Sequence, residues 1–442
     1  MRPGNEAAPA ALPRYPESAT SLWKSKRLHI VAFLFALTII NYTGRMSMSV
    51  AAQPVAEHFG WDNATMGIVM SAYFWAYVAC VMPMGWLVDR FGARKTIAWA
   101  ICFWSAMAML PGFVGGLTSM IAARLAFGAG ISATWPACAK VVSTWFPAGE
   151  RGIATSFYQA GSSCGAAVSM PVAAWLVVAA GWQTSFVVTG AVGFVWLALW
   201  WKIYREPEAC AWLPEAERAY ILASRGAGGQ VQAADAPNRG KSKLALVLSQ
   251  KTMWGLALSQ GAIAYTQHLV LAWLPSYLMQ VKRMDIKSAS CFSAGVFLFS
   301  TVFALVAGRL NDARMNTDLL ARGGRKNTVL AYMLLSTVIG GVSAVDNLFL
   351  VFTFVGLAFA FTTAALSLNL ALTTDLVRNS SITGTAISVQ VLGGSFFGLI
   401  APVVTGFIAK LTGSFDGCFY LAGAILGLGV LASCTLIRKP LE

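Results

Sequence analysis

The chain has 442 residues, 57% of them hydrophobic and 11% charged, with a mean hydropathy of +0.64. A water-soluble domain carries about 25% charged residues, so a soluble enzyme or soluble binding module is excluded. The formal net charge of +14 invites a nucleic-acid reading, which the placement of the charges argues against.

The first 20 residues are polar and hold several prolines but no apolar core of a cleavable signal, so they read as a cytoplasmic tail. Twelve apolar stretches follow, most of them about 20 residues or more, the length that crosses a bilayer as a helix. The pattern predicts spans at roughly 28–51, 65–88, 96–114, 118–143, 152–179, 183–203, 252–279, 288–309, 328–345, 348–374, 384–410 and 417–437. The fold class expected is an all-α membrane protein of 12 transmembrane helices in two pseudo-symmetric six-helix bundles. The expected division is 1–27 N-terminal tail, 28–203 first bundle, 204–251 linker, 252–437 second bundle and 438–442 C-terminal tail. In the linker, LPEAERAYILASR predicts a helix and GAGGQVQAADAPNRGK a flexible tether. Six helices, a polar linker and six helices is the plan of a carrier built from two bundles.

With the N-terminus inside, about 26 of the 32 Lys and Arg fall on the cytoplasmic face, about four on the other and two within spans. That bias sets orientation and does not advertise a polyanion. The eight cysteines show no CxxC and no Cys/His metal spacing, and seven of them lie in predicted spans, so neither a disulfide framework nor a metal centre is expected. No nucleotide-binding loop or catalytic triad is present. GAGG at 226–229 follows no strand and is linker. The expectation is a protein that is not an enzyme and needs no cofactor.

Two segments hint at related halves. GIATSFYQAGSSCG (152–165) opens span five and GTAISVQVLGGSFFG (384–398) opens span eleven. Each starts with Gly, carries Gln about two turns in, ends in small residues and is followed by a proline, Pro171 or Pro402.

The strongest local signal is GWLVDRFGARK (85–95), between spans two and three. It resembles the signature loop G-x-x-x-D-R-x-G-R-K/R of the major facilitator superfamily through Gly85, Asp89, Arg90, Gly92, Arg94 and Lys95. Such a loop reads as a cytoplasmic latch, Asp89 accepting from helix N-termini and basic partners in one conformation and releasing them in the other. A degenerate copy, GRLNDARMNTDLLARGGRK (308–326), keeps Gly308, Asp312, Arg325 and Lys326 after span eight. Within that superfamily the chain resembles the anion:cation symporter family, which includes bacterial sugar-acid and dicarboxylate permeases and sialin-like and vesicular glutamate carriers. INYTGRMSMSVAA is similar to the family's INYxDRxxLSVA. SAYFWAYVACVMPMGWLVDRFG is similar to FFWGYxxxQxPGGWLxDRFG, and RLAFGAGISATWPACAKVVSTWFPAGERGIATS to RxxxGxxEAxxxPAxxKxxxxWFPxxERGxAxx.

Arg45 in span one and Arg124 in span four are the arginines inside spans. An arginine in a membrane costs several kcal/mol unless paired or hydrated, so such residues face cavities and mark ion pathways. The resemblance implies that both grip a substrate carboxylate. It also exposes two departures. Family members that couple to protons place an aspartate before the span-one arginine and a glutamate seven residues after the span-four arginine. Here these positions are Gly44 and Ile131, and no Asp or Glu lies deep in any expected span. His268 in span seven is left as the candidate coupling residue.

Further candidate substrate contacts are Tyr42, one turn from Arg45; Tyr77, in the matched FFWGY position; Gln159 and Ser163 on one face of span five; Tyr265, one turn before His268; and Gln390 and Ser395 in span eleven. Each of the polar ones also suits an interhelical hydrogen bond. The reading is a secondary carrier of a small organic anion, such as a sugar acid, dicarboxylate or aromatic acid, working by alternating access. It is expected as a monomer in a bacterial inner membrane with both termini cytoplasmic, with H+, Na+ or a counter-anion as possible co-substrate and no nucleic-acid partner. Alternatives are an organic-anion exchanger, uniporter or exporter, a drug efflux carrier, and a non-transporting nutrient sensor in the same fold.

Overall fold

The computed structural model describes residues 25–147, 150–228, 243–314, 324–377 and 382–438. Helices α1 (Arg27–Phe59), α2 (Asn63–Phe91), α3 (Ala93–Met109), α4 (Leu117–Ile131), α5 (Thr134–Trp145) and α6 (Arg151–Ile203) form the first bundle. Helices α7 (Glu215–Gly228) and α8 (Lys243–Leu248) belong to the linker. The second bundle is α9 (Lys251–Gln280), α10 (Ile286–Arg314), α11 (Gly324–Ser336), α12 (Leu348–Leu376), α13 (Thr383–Thr412) and α14 (Asp416–Leu436).

These helices supply twelve crossings. Span four is broken into α4 and α5. Spans five and six run as the single α6, which turns at Gly181, where φ 84° and ψ 161° leave the helical region. A positive φ of that kind suits a residue without a Cβ. Spans three and nine end in short 3₁₀ turns, Leu110–Phe113 and Thr337–Ala344. Among the described residues, ten helical stretches, α6 included, are long and apolar enough to cross a membrane. Helix α9 is as long but more polar, and most of it is buried. It sits centrally, where Gln260, Thr266, Gln267 and His268 meet protein rather than lipid. On the outside, Trp99, Val302 and Phe349 are more than three-fifths exposed. Such a surface would aggregate in water and is ordinary against lipid.

The two Gly-rich segments occupy equivalent places. Helix α6 packs on α1, and α13 packs on α9. A Cβ at Gly161 would run into Thr38 Oγ1, and one at Gly398 would lie 2.8 Å from His268 Cε1. Small residues are needed there so that each helix can press on the first helix of its own bundle.

The bundles meet through α1 on α9, α2 on α13 and α6 on α10. The polar contacts among these helices gather on the side opposite Arg27 and Leu436. Lys410 Nζ lies 2.8 Å from Asp62 Oδ2. Asn63 and Gln280 exchange amide hydrogen bonds of 3.3 Å. Ser49 Oγ reaches the carbonyls of Leu271 at 2.9 Å and Ala272 at 2.7 Å. The Asp62 carboxyl is held down at about 2 by the Lys410 ammonium and then by the Thr65 N–H it caps.

The linker helix predicted from LPEAERAYILASR is present as α7 and is packed on the first bundle. Trp212 stacks on Trp145 with ring centroids 5.7 Å apart. Glu217 accepts the backbone N–H groups of Lys26 and Arg27 at 3.0 Å, so the linker caps the start of α1. Most of the expected tether lies outside the described residues.

Candidate functional site

Tyr42 and Arg45 are one turn apart on α1, Tyr73 and Tyr77 one turn apart on α2, and Arg124 and Phe127 one turn apart on α4. Each pair therefore shares a face, and the three faces converge. The Arg45 guanidinium carbon lies 5.1 Å from the Tyr42 ring centroid, 5.3 Å from Tyr77 and 5.6 Å from Tyr73. That of Arg124 lies 4.8 Å from Tyr73 and 5.5 Å from Phe127. Aromatic faces carry negative quadrupole density and attract a cation even without an acid.

Both arginines are buried, at 9% and 3% exposed. Arg45 Nε and Nη2 and Arg124 Nε have no hydrogen-bond partner among the described residues. They line a cavity of about 30 Å³ together with Ser49, Tyr73 and His268, and none of its lining residues is an acid. Such a volume is about one water molecule's share of liquid, or a carboxylate group. Buried donors left without a partner are costly, and a carboxylate is the group whose paired oxygens match a guanidinium fork.

His268 is brought to this cavity. Its Nδ1 is 2.8 Å from the Ala264 carbonyl and its ring lies 4.9 Å from that of Phe74. Tyr42 and Ser163 line a neighbouring cavity of about 140 Å³ with Ser162, Gln267, Phe297, Phe359 and Thr363, and Leu271 belongs to both. Tyr77 meets Arg45 and stacks on Phe74 at 5.5 Å.

Other expected contacts are not gathered here. Gln390 is fully buried, donates to the Asn369 carbonyl at 3.0 Å and accepts from Thr373 Oγ1 at 2.6 Å. Its amide is consumed in tying α13 to α12. Tyr265 is packed into the core beside the second-bundle residues and lines neither cavity. Gln159 is exposed and Ser395 half-buried, and neither lines either cavity.

Tyr73 and Phe127 were not singled out by the sequence. The signal was present in the i, i+4 tyrosines of SAYFWAY and the i, i+3 spacing of Arg124 and Phe127. What a lone apolar helix does not reveal is which of its aromatic residues faces a cation on another helix.

The two positions without acids are filled by packing. A Cβ at Gly44 would stand 2.7 Å from Phe127 Cζ. Ile131 is fully buried in the apolar core of the first bundle.

In the last turn of α2, Asp89 is 73% exposed and bonds Lys140 of its own bundle at 3.0 Å. Arg90 lies over the rings of Trp86 and Phe91. Arg94 donates to the Trp201 carbonyl at 2.8 Å and stacks 4.7 Å from its ring. Gly85 is half-buried, and Gly92 turns the chain with φ 79°. Lys95 is exposed at the rim of an apolar groove of about 400 Å³ lined by Met84, Phe91, Trp99 and Phe103, a lipid-type surface away from the arginines. Asp312 lies on α10, and its side chain is outside what is described. The eight cysteines are all free, and no metal-type cluster occurs among the described residues.

A sequence model of the Major Facilitator Superfamily matches residues 34–320. The D-galactonate transporter of Escherichia coli O6:H1 is 30% identical over 420 residues, covering 93% of this chain and 96% of that protein. A Bacillus subtilis protein named probable galactarate/D-glucarate transporter is 30% identical, covering 95% and 93%. A Cupriavidus necator protein named probable sulfoacetate transporter is 29% identical, covering 93% and 94%. Among solved structures, a bacterial homolog of the human lysosomal transporter Spinster, inward-facing and unoccupied, superposes with a TM-score of 0.73 at 16% identity, covering 95% of this chain and 99% of that one. Twelve crossings in two bundles, the loop at 85–95 and these similarities lead to one family: the chain belongs to the Major Facilitator Superfamily.

Proposed function

We propose that the protein is a secondary carrier of small organic anions of the sugar-acid kind, in a bacterial inner membrane with both termini cytoplasmic. The observation that carries this reading is the pair Arg45 and Arg124, buried, short of hydrogen-bond partners, and facing a cavity with no acid. The substrate carboxylate is the missing counter-charge. Relatives of about 30% identity over nearly the whole chain that are named as galactonate, galactarate or glucarate, and sulfoacetate transporters support the same class.

The bundles rock about this midplane site. The Asp62–Lys410 and Asn63–Gln280 contacts hold them together on the side opposite the termini, which with cytoplasmic termini is a state closed to the outside. In the converse state Asp89, at the end of α2, leaves Lys140 and engages the second bundle.

Coupling runs without the two family carboxylates, because Gly44 and Ile131 cannot carry protons. Moving one negative charge inward against a negative-inside potential costs about 2.3 kcal/mol per 100 mV. Exchange against an internal anion removes that cost and is the coupling we favour, with His268 serving as a hydrogen-bonding wall of the site. The test is proteoliposome flux of labelled galactonate with and without an internal organic anion. Flux that needs the internal anion and leaves lumenal pH unchanged supports exchange; substrate-dependent proton entry refutes it, and the absence of flux for every organic acid refutes the carrier reading.

A further inference from the structure

We infer that the 140 Å³ cavity beside the arginines receives an uncharged, hydroxyl-bearing tail, so that the carrier selects hydroxy monocarboxylates over dicarboxylates and bare alkyl acids. This deepens the anion-carrier reading and rests on it.

The two cavities are neighbours with a common wall. Leu271 lines both, and the Tyr42 ring that borders the larger one lies under Arg45. A carboxylate held at the arginines therefore directs the rest of its molecule toward Ser162, Ser163, Gln267 and Thr363. A volume near 140 Å³ is about that of a cavity that holds benzene, enough for a short carbon chain.

No charged side chain of either sign lines the larger cavity. A second carboxylate would enter a low-dielectric space without a cation, which is unfavourable. The polar groups that are there have a definite sense. Ser162 Oγ donates its proton to the Gln159 carbonyl at 2.7 Å, and Thr363 Oγ1 donates to the Phe359 carbonyl at 2.7 Å. Gln267 Nε2 donates one of its two N–H groups to Thr363 Oγ1 at 3.3 Å, and its second N–H and its carbonyl oxygen remain for a ligand. A hydroxyl with its proton committed offers lone pairs, and an amide oxygen offers lone pairs. The wall therefore offers acceptors at Ser162, Thr363 and the Gln267 oxygen, beside donors at the second Gln267 N–H and the Ser163 and Tyr42 hydroxyls.

An alcohol both donates and accepts and so matches this mixed neutral wall, whereas an ionised carboxylate has only acceptors and calls for a cation that the lining does not supply. A methylene chain leaves the wall's acceptors unpaired, and sites built to bond a hydroxyl discriminate strongly against analogues lacking it. Phe297 and Phe359 provide the apolar floor for the carbon skeleton.

The test compares three six-carbon acids on the purified full-length protein: gluconate, glucarate and hexanoate, each by thermal shift and by competition against gluconate uptake in proteoliposomes. Gluconate is expected to bind at least tenfold more tightly than glucarate or hexanoate. Thr363→Val and Gln267→Leu are each expected to erase most of that preference while leaving hexanoate affinity within about twofold. Glucarate or hexanoate binding as tightly as gluconate overturns the tail-pocket proposal and leaves the carrier reading intact. The proposal is equally overturned if both variants are folded, as judged by hexanoate binding, and keep the full preference. If none of the three acids, nor any other carboxylate, shifts the melting curve or is carried, the carrier reading itself fails.

Discussion

The guanidinium carbon of Arg124 stands 4.8 Å from the ring centroid of Tyr73, and the same ring lies 5.6 Å from the guanidinium of Arg45. One aromatic ring thus serves two buried cations that have no acid in their cavity. A cation over an aromatic face gains about 0.5–2 kcal/mol, the larger value when desolvated. Tyr73→Phe should therefore fold normally and keep binding within about tenfold. Tyr73→Leu should lower the thermal stability of the empty protein more than that of the substrate-bound protein, since the anion takes over part of the ring's role. Melting curves with and without galactonate check this; equal losses in both would mean the ring acts only as packing.

Arg45→Ala and Arg124→Ala should each abolish saturable uptake. Arg45→Lys should also lose at least an order of magnitude in affinity, because an ammonium cannot make the paired bonds of a planar guanidinium. Uptake kinetics in proteoliposomes read both effects, and full activity in either alanine variant would remove that residue from the site.

Gly44→Asp places a carboxylate next to Arg45, where Phe127 must give way because a Cβ stands 2.7 Å from its ring. The new acid competes with the substrate for the guanidinium. Binding of galactonate should weaken at least tenfold relative to the parent protein, because the guanidinium keeps the new aspartate ionised. Isothermal titration at neutral pH measures the difference, and unchanged affinity would show that position 44 does not communicate with the site.

Lys410 and Asp62 join the two bundles on the side opposite the termini, and both are about half exposed, so their pair is worth about 0.2–1 kcal/mol after solvent screening. Asp62→Asn should shift the population toward separation on that side by at most about fivefold. Distances between spin labels at Glu57 and Lys287 report it. The Asp62 carboxyl titrates at about 2, below its ordinary 3.8. Its contribution is complete above about pH 4 and is lost only as pH falls toward 2, so the label distances should not change between pH 5 and 9.

Arg27 is fully buried, bonds Glu150 Oε2 at 2.6 Å and Glu217 Oε1 at 3.1 Å, and lies 5.2 Å from the Tyr220 ring. Removing Glu217 leaves Arg27 paired with Glu150 but strips the acceptor from the backbone N–H groups of Lys26 and Arg27, at a cost of about 1–3 kcal/mol. Glu217→Ala should lower the melting temperature and expose the linker near residue 217 to protease. Glu217→Gln keeps acceptors for the α1 N–H groups and should lose less.

The sequence by itself determined the class, the twelve crossings and the family. Those depend on long apolar runs, on where Lys and Arg interrupt them, and on short loop motifs, all of which are local in the chain. It also isolated Arg45 and Arg124, because a lone cation in an apolar stretch stands out without any knowledge of its neighbours. Helix α9 shows the limit of that logic: it reads as a span like the other eleven, yet it is the buried centre, since proximity to other helices rather than to lipid decides what it tolerates. Gln390 and Tyr42 show it again. Both are polar groups on apolar helices, and only the packing of α12 on α13 makes one an interhelical tie, while the convergence of α1 and α2 makes the other part of an arginine cage. Which ring faces which cation, and whether Gly44 borders open space or the edge of Phe127, depends on the rotation of one helix against another. Periodicity within a single helix carries no record of that rotation, so the tertiary structure alone decides it.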